Sequence, residues 1–180
     1  MKLLALVRTY RELLLADFAV NPNADARFTL AVWRMEHVLH GQPGVVPLAL
    51  RRVSRLLNRV WLRAYIGAVI PPQVSPGPGL RLAHCARGLV LHHTVTIGAN
   101  VTIFHQVTVG VRDKRPIEEQ PELAAAIHDG VYLGAGAKVL GPVTLGANSA
   151  VGANAVVLTD VPAGAAAVGI PARVKLAAER

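Results

Sequence analysis

Apolar positions follow two different rhythms along the 180-residue chain. In about the first 67 residues they recur at three- and four-residue spacing, which places them on one side of a helix. Turn-forming Gly, Pro and Asn residues separate three such stretches. The pattern therefore predicts three amphipathic α-helices, whose apolar stripes are Leu3, Leu4, Val7, Tyr10, Leu14 and Phe18; Phe28, Val32, Met35, Val38 and Leu39; and Leu50, Val53, Leu56, Leu57, Val60 and Trp61.

In the rest of the chain an aliphatic residue recurs every six positions, with a gap of three such steps between Val109 and Ile127. A glycine often follows it directly, and a second small or apolar residue often stands two positions before it. Residues two apart in a strand share one face, so each hexad predicts a short strand with two inward side chains and then a corner. The aliphatic series is Ile97, Ile103, Val109, Ile127, Leu133, Val139, Leu145, Val151 and Val157.

Three six-residue sides make a triangular coil, and stacked coils pair their strands in parallel, roughly 4.8 Å apart. We expect Gly and Asn at the corners to supply positive φ angles. The predicted fold class is mainly β: a parallel β-helix over residues 68–174, preceded by an α-helical region at 1–67 and followed by a tail at 175–180. Residues 111–126 interrupt the period, which predicts an excursion loop at a corner.

Two histidines fall at equivalent places in successive coils. Leu82 and Ile103 are three repeats apart, counted through Leu91 and Ile97 with a first step of nine residues instead of six, so they lie on the same side of the predicted prism. His84 and His105 each follow by two positions. We therefore expect the two imidazoles to be stacked at one corner, about one strand spacing apart.

Composition adds bounds on the class of protein. Apolar residues make up 52% of the chain and aromatic residues only 4%, which suits a narrow core of small side chains. The single cysteine, Cys85, cannot form an intrachain disulfide, which favours a reducing compartment. We find no apolar segment with the length of a secretion signal or of a membrane span, and we expect a cytoplasmic protein.

Much of the net charge of +8 is concentrated in one segment. Residues 51–63 contain five Arg and no acidic residue. Such a stripe occurs on solvated or partner-facing helices, on surfaces that bind acidic ligands or anionic surfaces, and in nucleic-acid-binding proteins. Because no nucleic-acid motif accompanies it, we expect no nucleic-acid partner, and the other two interpretations stay open.

Several phrases of the repeat region resemble the serine acetyltransferase group of hexapeptide acyltransferases. They are Arg-Leu-Ala-His at 81–84, Phe-His-Gln-Val-Thr-Val-Gly at 104–110, Gly-Ala-Gly-Ala-Lys at 134–138 and Gly-Ile-Pro-Ala-Arg at 169–173. The chain looks most similar to the branch associated with exopolysaccharide and colanic-acid acetylation. The resemblance implies a left-handed β-helix, acetyl-CoA as the donor, and homotrimers or dimers of trimers with active sites in clefts between subunits.

The resemblance also implies the residues of the site. His84 corresponds to the general base that takes a proton from the acceptor hydroxyl, and His105 beside it is expected to share the site. In the family the excursion loop arches over the cleft, where Arg112, Lys114 and Arg115 either meet anionic groups or are solvated. No metal is expected. The implied CoA-binding residues, whose glycines also serve to turn corners, are Gly134, Ala135, Gly136, Lys138, Ala153 and Arg173.

Two departures from the family pattern bear on the acceptor. The serine-specific pattern has an Asp directly before the catalytic His and another in the preceding strand, where this chain has Ala83 and Val69. Because the ammonium group of serine requires carboxylates, we expect a neutral hydroxyl acceptor, a sugar or a polysaccharide precursor. The alternatives are serine or a related hydroxy amino acid, a metal-binding β-helix similar to γ-carbonic anhydrase, and a covalent acyl carrier at Cys85 beside His84.

Overall fold

The computed structural model describes residues 2–40, 42, 48–112 and 125–176. Three α-helices come first, as the apolar spacing predicts, and the third continues directly into a π-helical segment. No helix in these ranges is long and apolar enough to cross a bilayer. The helical elements are α1 (Lys2–Val20), α2 (Ala24–Leu39), α3 (Leu48–Leu57) and the π-helical segment (Asn58–Tyr65).

Short strands of the following region wind into three sheets, one on each side of a prism. The sheets have the strand orders β1-β4-β7-β10-β12-β13, β2-β5-β8-β11 and β3-β6-β9, and every pairing is parallel except that of β13. In chain order the strands are β1 (Arg81–Leu82), β2 (Val90–Leu91), β3 (Thr96–Ile97), β4 (Thr102–Ile103), β5 (Thr108–Gly110), β6 (Ala126–Ile127), β7 (Tyr132–Leu133), β8 (Lys138–Leu140), β9 (Thr144–Leu145), β10 (Ala150–Val151), β11 (Val156–Val157), β12 (Ala166–Val168) and β13 (Arg173–Lys175).

The strand register is the one that the six-residue period predicts. Leu82 pairs with Ile103, which in turn pairs with Leu133. Pro76 forms a parallel bridge with Ile97 in the neighbouring sheet. Every residue of the aliphatic series is buried, so the series fills the axis of the prism. The predicted parallel β-helix with an N-terminal helical segment is confirmed.

The expectation of a mainly β chain is wrong in its proportions. The three α-helices have 19, 16 and 10 residues, whereas each strand has only two or three. The strands are short because most residues of each hexad are needed to turn the corner. The described chain is therefore mixed helix and strand.

The expectation that Gly and Asn supply positive φ angles at the corners is met only in part. Asn100 and Asn154 have φ angles of +55°, as predicted, but the glycines directly after the aliphatic residues are not in this left-handed region. A Cβ on Gly134 would meet backbone atoms of the next coil, with Ala153 N at 2.7 Å and Val151 O at 2.8 Å. This glycine is required by the close approach of two coils rather than by its own backbone conformation.

Side chains of α1 and α2 cover the first coil of the β-helix. Arg34 is fully buried, forms an ion pair with Asp17 at 2.9 Å, and donates hydrogen bonds to the carbonyls of Pro76 and Gly77. Asp17 also accepts a hydrogen bond from the backbone N–H of Leu80 at 2.9 Å. The unpaired backbone edge of the first coil, which is a liability in an open sheet, thus finds its partners in the helices.

Asn21 extends this network toward β1. Its Nδ2 donates to the carbonyl of Leu80 at 2.7 Å, and its Oδ1 accepts from the backbone N–H of Leu82 at 2.9 Å. The side chain is buried, so both hydrogen bonds are shielded from water. The turn that precedes α2 is therefore fixed against β1, and the first turn of α2 comes to lie at the corner that follows β1.

Candidate functional site

The two predicted histidines meet at the corner that follows β1 and β4. The ring centroids of His84 and His105 are 5.0 Å apart, and the ring planes are at 88°. The prediction that the two imidazoles meet at one corner is confirmed, with the rings in edge-to-face contact. The ring of Phe104 lies 6.2 Å from that of His84. Among the described residues, ring contacts rather than hydrogen bonds position the His84 imidazole.

His84 stands in a turn of unusual backbone shape. His84, Cys85 and Ala86 have φ angles of 53°, 59° and 55°, in the left-handed region that costs about 1–2 kcal/mol for each residue with a side chain. Cys85 and Ala86 are buried, whereas His84 is exposed. The anchored pair holds the strained turn in place and presents the imidazole to solvent, and such stored strain concentrates at functional sites.

Four of the residues implied for CoA binding lie along the same edge as the histidines. The backbone N–H of Gly136 donates to the carbonyl of His105 at 2.9 Å, and the N–H of Asn154 donates to the carbonyl of Ala135 at 2.8 Å. Each coil therefore adds one level to a continuous column of corner residues. From bottom to top, this edge column consists of His84, His105, Gly134 with Ala135 and Gly136, and Ala153.

The two predicted cations lie beside the edge column. Lys138 begins β8, and its Nζ donates to the carbonyl of Gln106 at 2.7 Å, directly after His105. Arg173 begins β13 and pairs with Val168 of β12, in the last part of the sheet that leads into the column. Positive charge therefore borders an edge built from small residues.

An open cleft of about 490 Å³ adjoins His84. Asp25 brings a carboxylate to it from the first turn of α2, where the helix dipole favours negative charge. Arg87 brings a guanidinium, and neither residue forms an ion pair with another described residue. An imidazole and two unpaired charges of opposite sign thus share one cleft, which is lined by Asn23, Ala24, Asp25, His84, Cys85 and Arg87.

Sequence reasoning missed both charged residues of this cleft. Asp25 belongs to the helical region, and only the docking of Asn21 on β1 brings it to the corner. Arg87 lies between Leu82 and Leu91, where the repeat spacing is nine residues instead of six. This longer spacing was the one feature of the sequence that pointed to Arg87. Its guanidinium is held 4.9 Å from the centroid of the Tyr65 ring.

The thiol of Cys85 is not activated. Burial raises the pKa of Cys85, the negative charge of Asp25 raises it further, and the positive charge of Arg87 acts in the opposite direction. Because the net pKa is raised, the thiol stays protonated at neutral pH. The reactive form of cysteine is the thiolate, so this environment disfavours the covalent-carrier alternative.

Other imidazole nitrogens differ in their surroundings. Nδ1 of His105 is buried and has no hydrogen-bond partner among the described residues. His92 and His93 lie at a different corner, with ring centroids 4.2 Å apart. Burial and the neighbouring His93 lower the pKa of His92, whose Nδ1 lies 3.0 Å from Thr94 Oγ1.

Two further expectations concern the excursion loop and metals. Most of the loop predicted at 111–126 falls outside the described residues, including Lys114 and Arg115, whereas Arg112 is described and exposed. Within the described ranges, no group of three His, Cys, Asp or Glu side chains is placed to hold a metal ion. The alternative of a metal-binding β-helix gains no support there.

Comparison with known proteins agrees with this geometry. The family model described as bacterial transferase hexapeptide (six repeats) matches residues 124–159. The serine acetyltransferase of Helicobacter pylori (strain J99) is 37% identical over 145 residues, which is 80% of this chain and 77% of that protein. The proposed resemblance to the exopolysaccharide branch finds no support, since the relative described above is a serine acetyltransferase.

Solved structures lead to the same family. A serine acetyltransferase in complex with cysteine matches with a TM-score of 0.70 and 30% identity, covering 84% of this chain and 58% of that chain. A serine acetyltransferase in complex with CoA matches with a TM-score of 0.72 and 25% identity, covering 95% and 70%. These neighbours imply the left-handed winding of the β-helix. The chain is an acyltransferase that belongs to the serine acetyltransferase family of bacterial hexapeptide transferases.

Proposed function

We propose that the chain is an acetyl-CoA-dependent O-acetyltransferase whose acceptor is L-serine or a closely related hydroxy amino acid, with His84 as the general base. The observation that carries the proposal is the cleft in which His84 is accompanied by the charges of Asp25 and Arg87, neither of which is paired with another described residue. The proposed acceptor therefore differs from the sugar expected from the sequence alone.

The transfer requires one proton acceptor and one extended donor site. The imidazole of His84 takes the proton of the acceptor hydroxyl while the hydroxyl oxygen attacks the thioester carbonyl. A C–O bond forms between the acceptor and the acetyl group, and the C–S bond to CoA breaks. The proton then passes to the departing thiolate of CoA. General-base catalysis of this kind contributes about 10²–10⁴-fold, and histidine is the side chain that most often performs it.

The edge column is the proposed site of the donor. An extended pantetheine chain fits along an edge where Gly134, Ala135, Gly136 and Ala153 leave little side-chain bulk. Lys138 and Arg173 border this edge and supply positive charge for the CoA phosphates. The solved relative in complex with CoA supports CoA as the co-substrate.

The charges of the cleft match a zwitterion. The carboxylate of Asp25 is placed to pair with an ammonium group, and the guanidinium of Arg87 is suited to a carboxylate. The carboxylates missing at Ala83 and Val69 are thereby replaced by one from α2. A solved relative in complex with cysteine supports an amino-acid ligand of this size.

A sugar or polysaccharide-precursor hydroxyl is the second candidate acceptor. It is favoured by the apolar residues Ala83 and Val69 at the two positions where the serine-specific pattern has Asp. A neutral acceptor has no use for the charges of Asp25 and Arg87, which is why we place it second.

Thiol release from acetyl-CoA distinguishes the two acceptors. The protein is assayed with L-serine, L-homoserine, D-serine, free sugars and sugar lipids at matched concentrations. We expect L-serine or L-homoserine to give the highest kcat/KM. Turnover of a sugar with none of the amino acids would overturn the acceptor assignment, and the absence of thiol release with all of them would overturn acetyl transfer itself.

Replacement of Asp25 tests the zwitterion pairing. Asp25→Asn keeps the size of the side chain and removes its charge, so we expect the KM for L-serine to rise at least tenfold, with little change in the KM for acetyl-CoA. Loss of a charged hydrogen bond is commonly worth about 1.5–3 kcal/mol. The matched control is Glu12→Gln, an exposed carboxylate of α1. Equal kinetics for both variants would exclude Asp25 from acceptor binding.

The assembly is proposed to be a homotrimer in which a neighbouring subunit covers the edge column. Apolar side chains of Tyr132, Val168 and Ile170 are exposed on or directly after β7 and β12 of the sheet that precedes the column. Light scattering is expected to give a mass of three chains or of a multiple of three. A monomeric mass with full activity would contradict this arrangement.

A further inference from the structure

We propose that α3, together with the start of the π-helical segment after it, binds to the surface of an anionic lipid bilayer. The helix and the π-helical segment after it present two exposed stripes of different chemistry, which the acetyl-transfer site does not use. Both stripes lie in the segment at 51–63 that carries five Arg and no acid. The proposal is independent of which acceptor the enzyme acetylates.

The first stripe is basic. Arg52, Arg55 and Arg59 recur at three- and four-residue spacing, so they project from one side of the helix, and all three are exposed. None of them forms an ion pair within the described residues. Glu36, the carboxylate that lines two clefts together with Arg55, accepts a hydrogen bond from Ser54 on the buried side of the helix.

The second stripe is apolar and lies one position further along, about 100° around the axis in the α-helical part. Val53, Leu56 and Val60 are 50%, 59% and 56% exposed. The opposite side of the helix is already occupied, because Ser54 is buried and Trp61 donates a hydrogen bond to Thr29 of α2 at 3.0 Å. The apolar stripe therefore has no cover within the described chain.

A basic stripe beside an exposed aliphatic stripe is the arrangement of helices that lie in the interface of a membrane. Arginines reach lipid phosphates while the aliphatic side chains enter the boundary of the acyl chains. A nucleic acid would satisfy the arginines but leave Val53, Leu56 and Val60 in water. A second copy of α3 would bring further arginines to the contact and no acid to pair with them.

Flotation of the full-length protein with lipid vesicles tests the proposal. We expect binding to vesicles of phosphatidylcholine with one third phosphatidylglycerol, weak or no binding to phosphatidylcholine alone, and release as the salt concentration rises. Arg55→Gln with Arg59→Gln should weaken binding about 25-fold, since each basic residue near an anionic surface contributes about 1 kcal/mol, or roughly fivefold. The matched control, Arg81→Gln with Lys175→Gln, removes the same charge from the β-helix and should bind like the wild type.

A second pair of variants keeps the charge constant. Leu56→Ser with Val60→Ser should weaken vesicle binding several-fold, whereas Leu4→Ser with Val7→Ser, on the exposed side of α1, should not. Circular dichroism confirms that each variant is folded.

Three outcomes would overturn the proposal. They are no binding of the wild type to anionic vesicles at low salt, equal loss from the α3 variants and their controls, and α3 variants that alter the oligomeric mass but not vesicle binding. The last outcome would make α3 a contact between copies of the chain. None of these results bears on acetyl transfer.

Discussion

At the scale of single residues, the candidate site depends on a turn whose backbone conformation is unfavourable for residues other than glycine. Three consecutive residues from His84 to Ala86 lie in the left-handed region, and the buried side chains of Cys85 and Ala86 hold them there. The strain is not needed for the coil itself, since other corners of the prism turn with a single left-handed Asn, Gln or Gly. It serves to present the imidazole of His84 beside His105.

Cys85 is expected to act only as part of this turn. Cys85→Ala keeps a small buried side chain and removes the thiol, so turnover should stay within about twofold of the wild type across pH 6–9, because the raised pKa of Cys85 leaves little thiolate to react. The rate of thiol release from acetyl-CoA measures this. A loss of a hundredfold or more would restore the covalent-carrier alternative.

The sequence predicts some residues of the site and not others. The meeting of His84 and His105 followed from counting hexads, because parallel register converts a fixed spacing into a position in space. Asp25 does not obey that period. It reaches the cleft through the buried hydrogen bonds of Asn21 to Leu80 and Leu82, which nothing in the spacing encodes.

At the scale of elements, the close stacking of coils places a steric demand on the edge column. Gly134 lies where a Cβ would meet the backbone of the coil that carries Ala153. Gly110 occupies the same place in its hexad, but a Cβ there would meet only Leu140 Cδ2 at 3.9 Å. The same sequence signal, a glycine after the aliphatic residue, thus has two different physical meanings.

These two glycines make a matched pair for a stability test. We expect Gly134→Ala to lower the free energy of unfolding by about 1–3 kcal/mol through overpacking, whereas Gly110→Ala should be neutral or stabilising by up to about 1 kcal/mol. Denaturant unfolding of each variant provides the measurement. Equal effects at both positions would contradict the proposed close approach of the coils.

The elements themselves were predictable to different degrees. The strands followed from a strict period, and their burial and register agree with it. The proportion of strand in the chain did not follow from that period, because most residues of each hexad form the corner. The π-helical continuation of α3 at Asn58–Tyr65 was also not predicted, since its apolar spacing resembles that of an α-helix. The division into regions 1–67, 68–174 and 175–180 stays a prediction.

At the scale of the whole molecule, the helices and the β-helix share one hydrophobic core and one buried polar network. Asp17 and Arg34, from α1 and α2, are both fully buried and bind backbone groups of the first coil. A buried ion pair contributes little by itself, but loss of one partner leaves a charge without compensation. The network therefore couples the placement of Asp25 to the fold.

Breaking that network should destabilise the entire chain. Asp17→Asn leaves the buried guanidinium of Arg34 without its counter-charge, and we expect a loss of about 3–5 kcal/mol in the free energy of unfolding. Glu12→Gln breaks the exposed pair with Arg8 and should have a much smaller effect, since exposed pairs contribute little. Thermal unfolding compares the two. A small loss of stability for Asp17→Asn would show that the packing of the helices on the first coil does not depend on the Asp17–Arg34 pair.

The same architecture places the proposed donor site beside the proposed acceptor site. The edge column runs from His84 through His105 to Gly136 and Ala153, and the charged cleft adjoins its lower end. The helical region and the β-helix each supply one wall of that cleft. We infer that acyl transfer takes place where the two meet.

The most direct test of this account is the rate of thiol release from acetyl-CoA by His84→Ala, with the acceptor that the panel identifies. We predict a loss of at least about a hundredfold in kcat with unchanged affinity for CoA, while His93→Ala, at another corner, retains the wild-type rate. Near-full activity of His84→Ala, or an equal loss in both variants, would contradict the assignment of the general base to this corner.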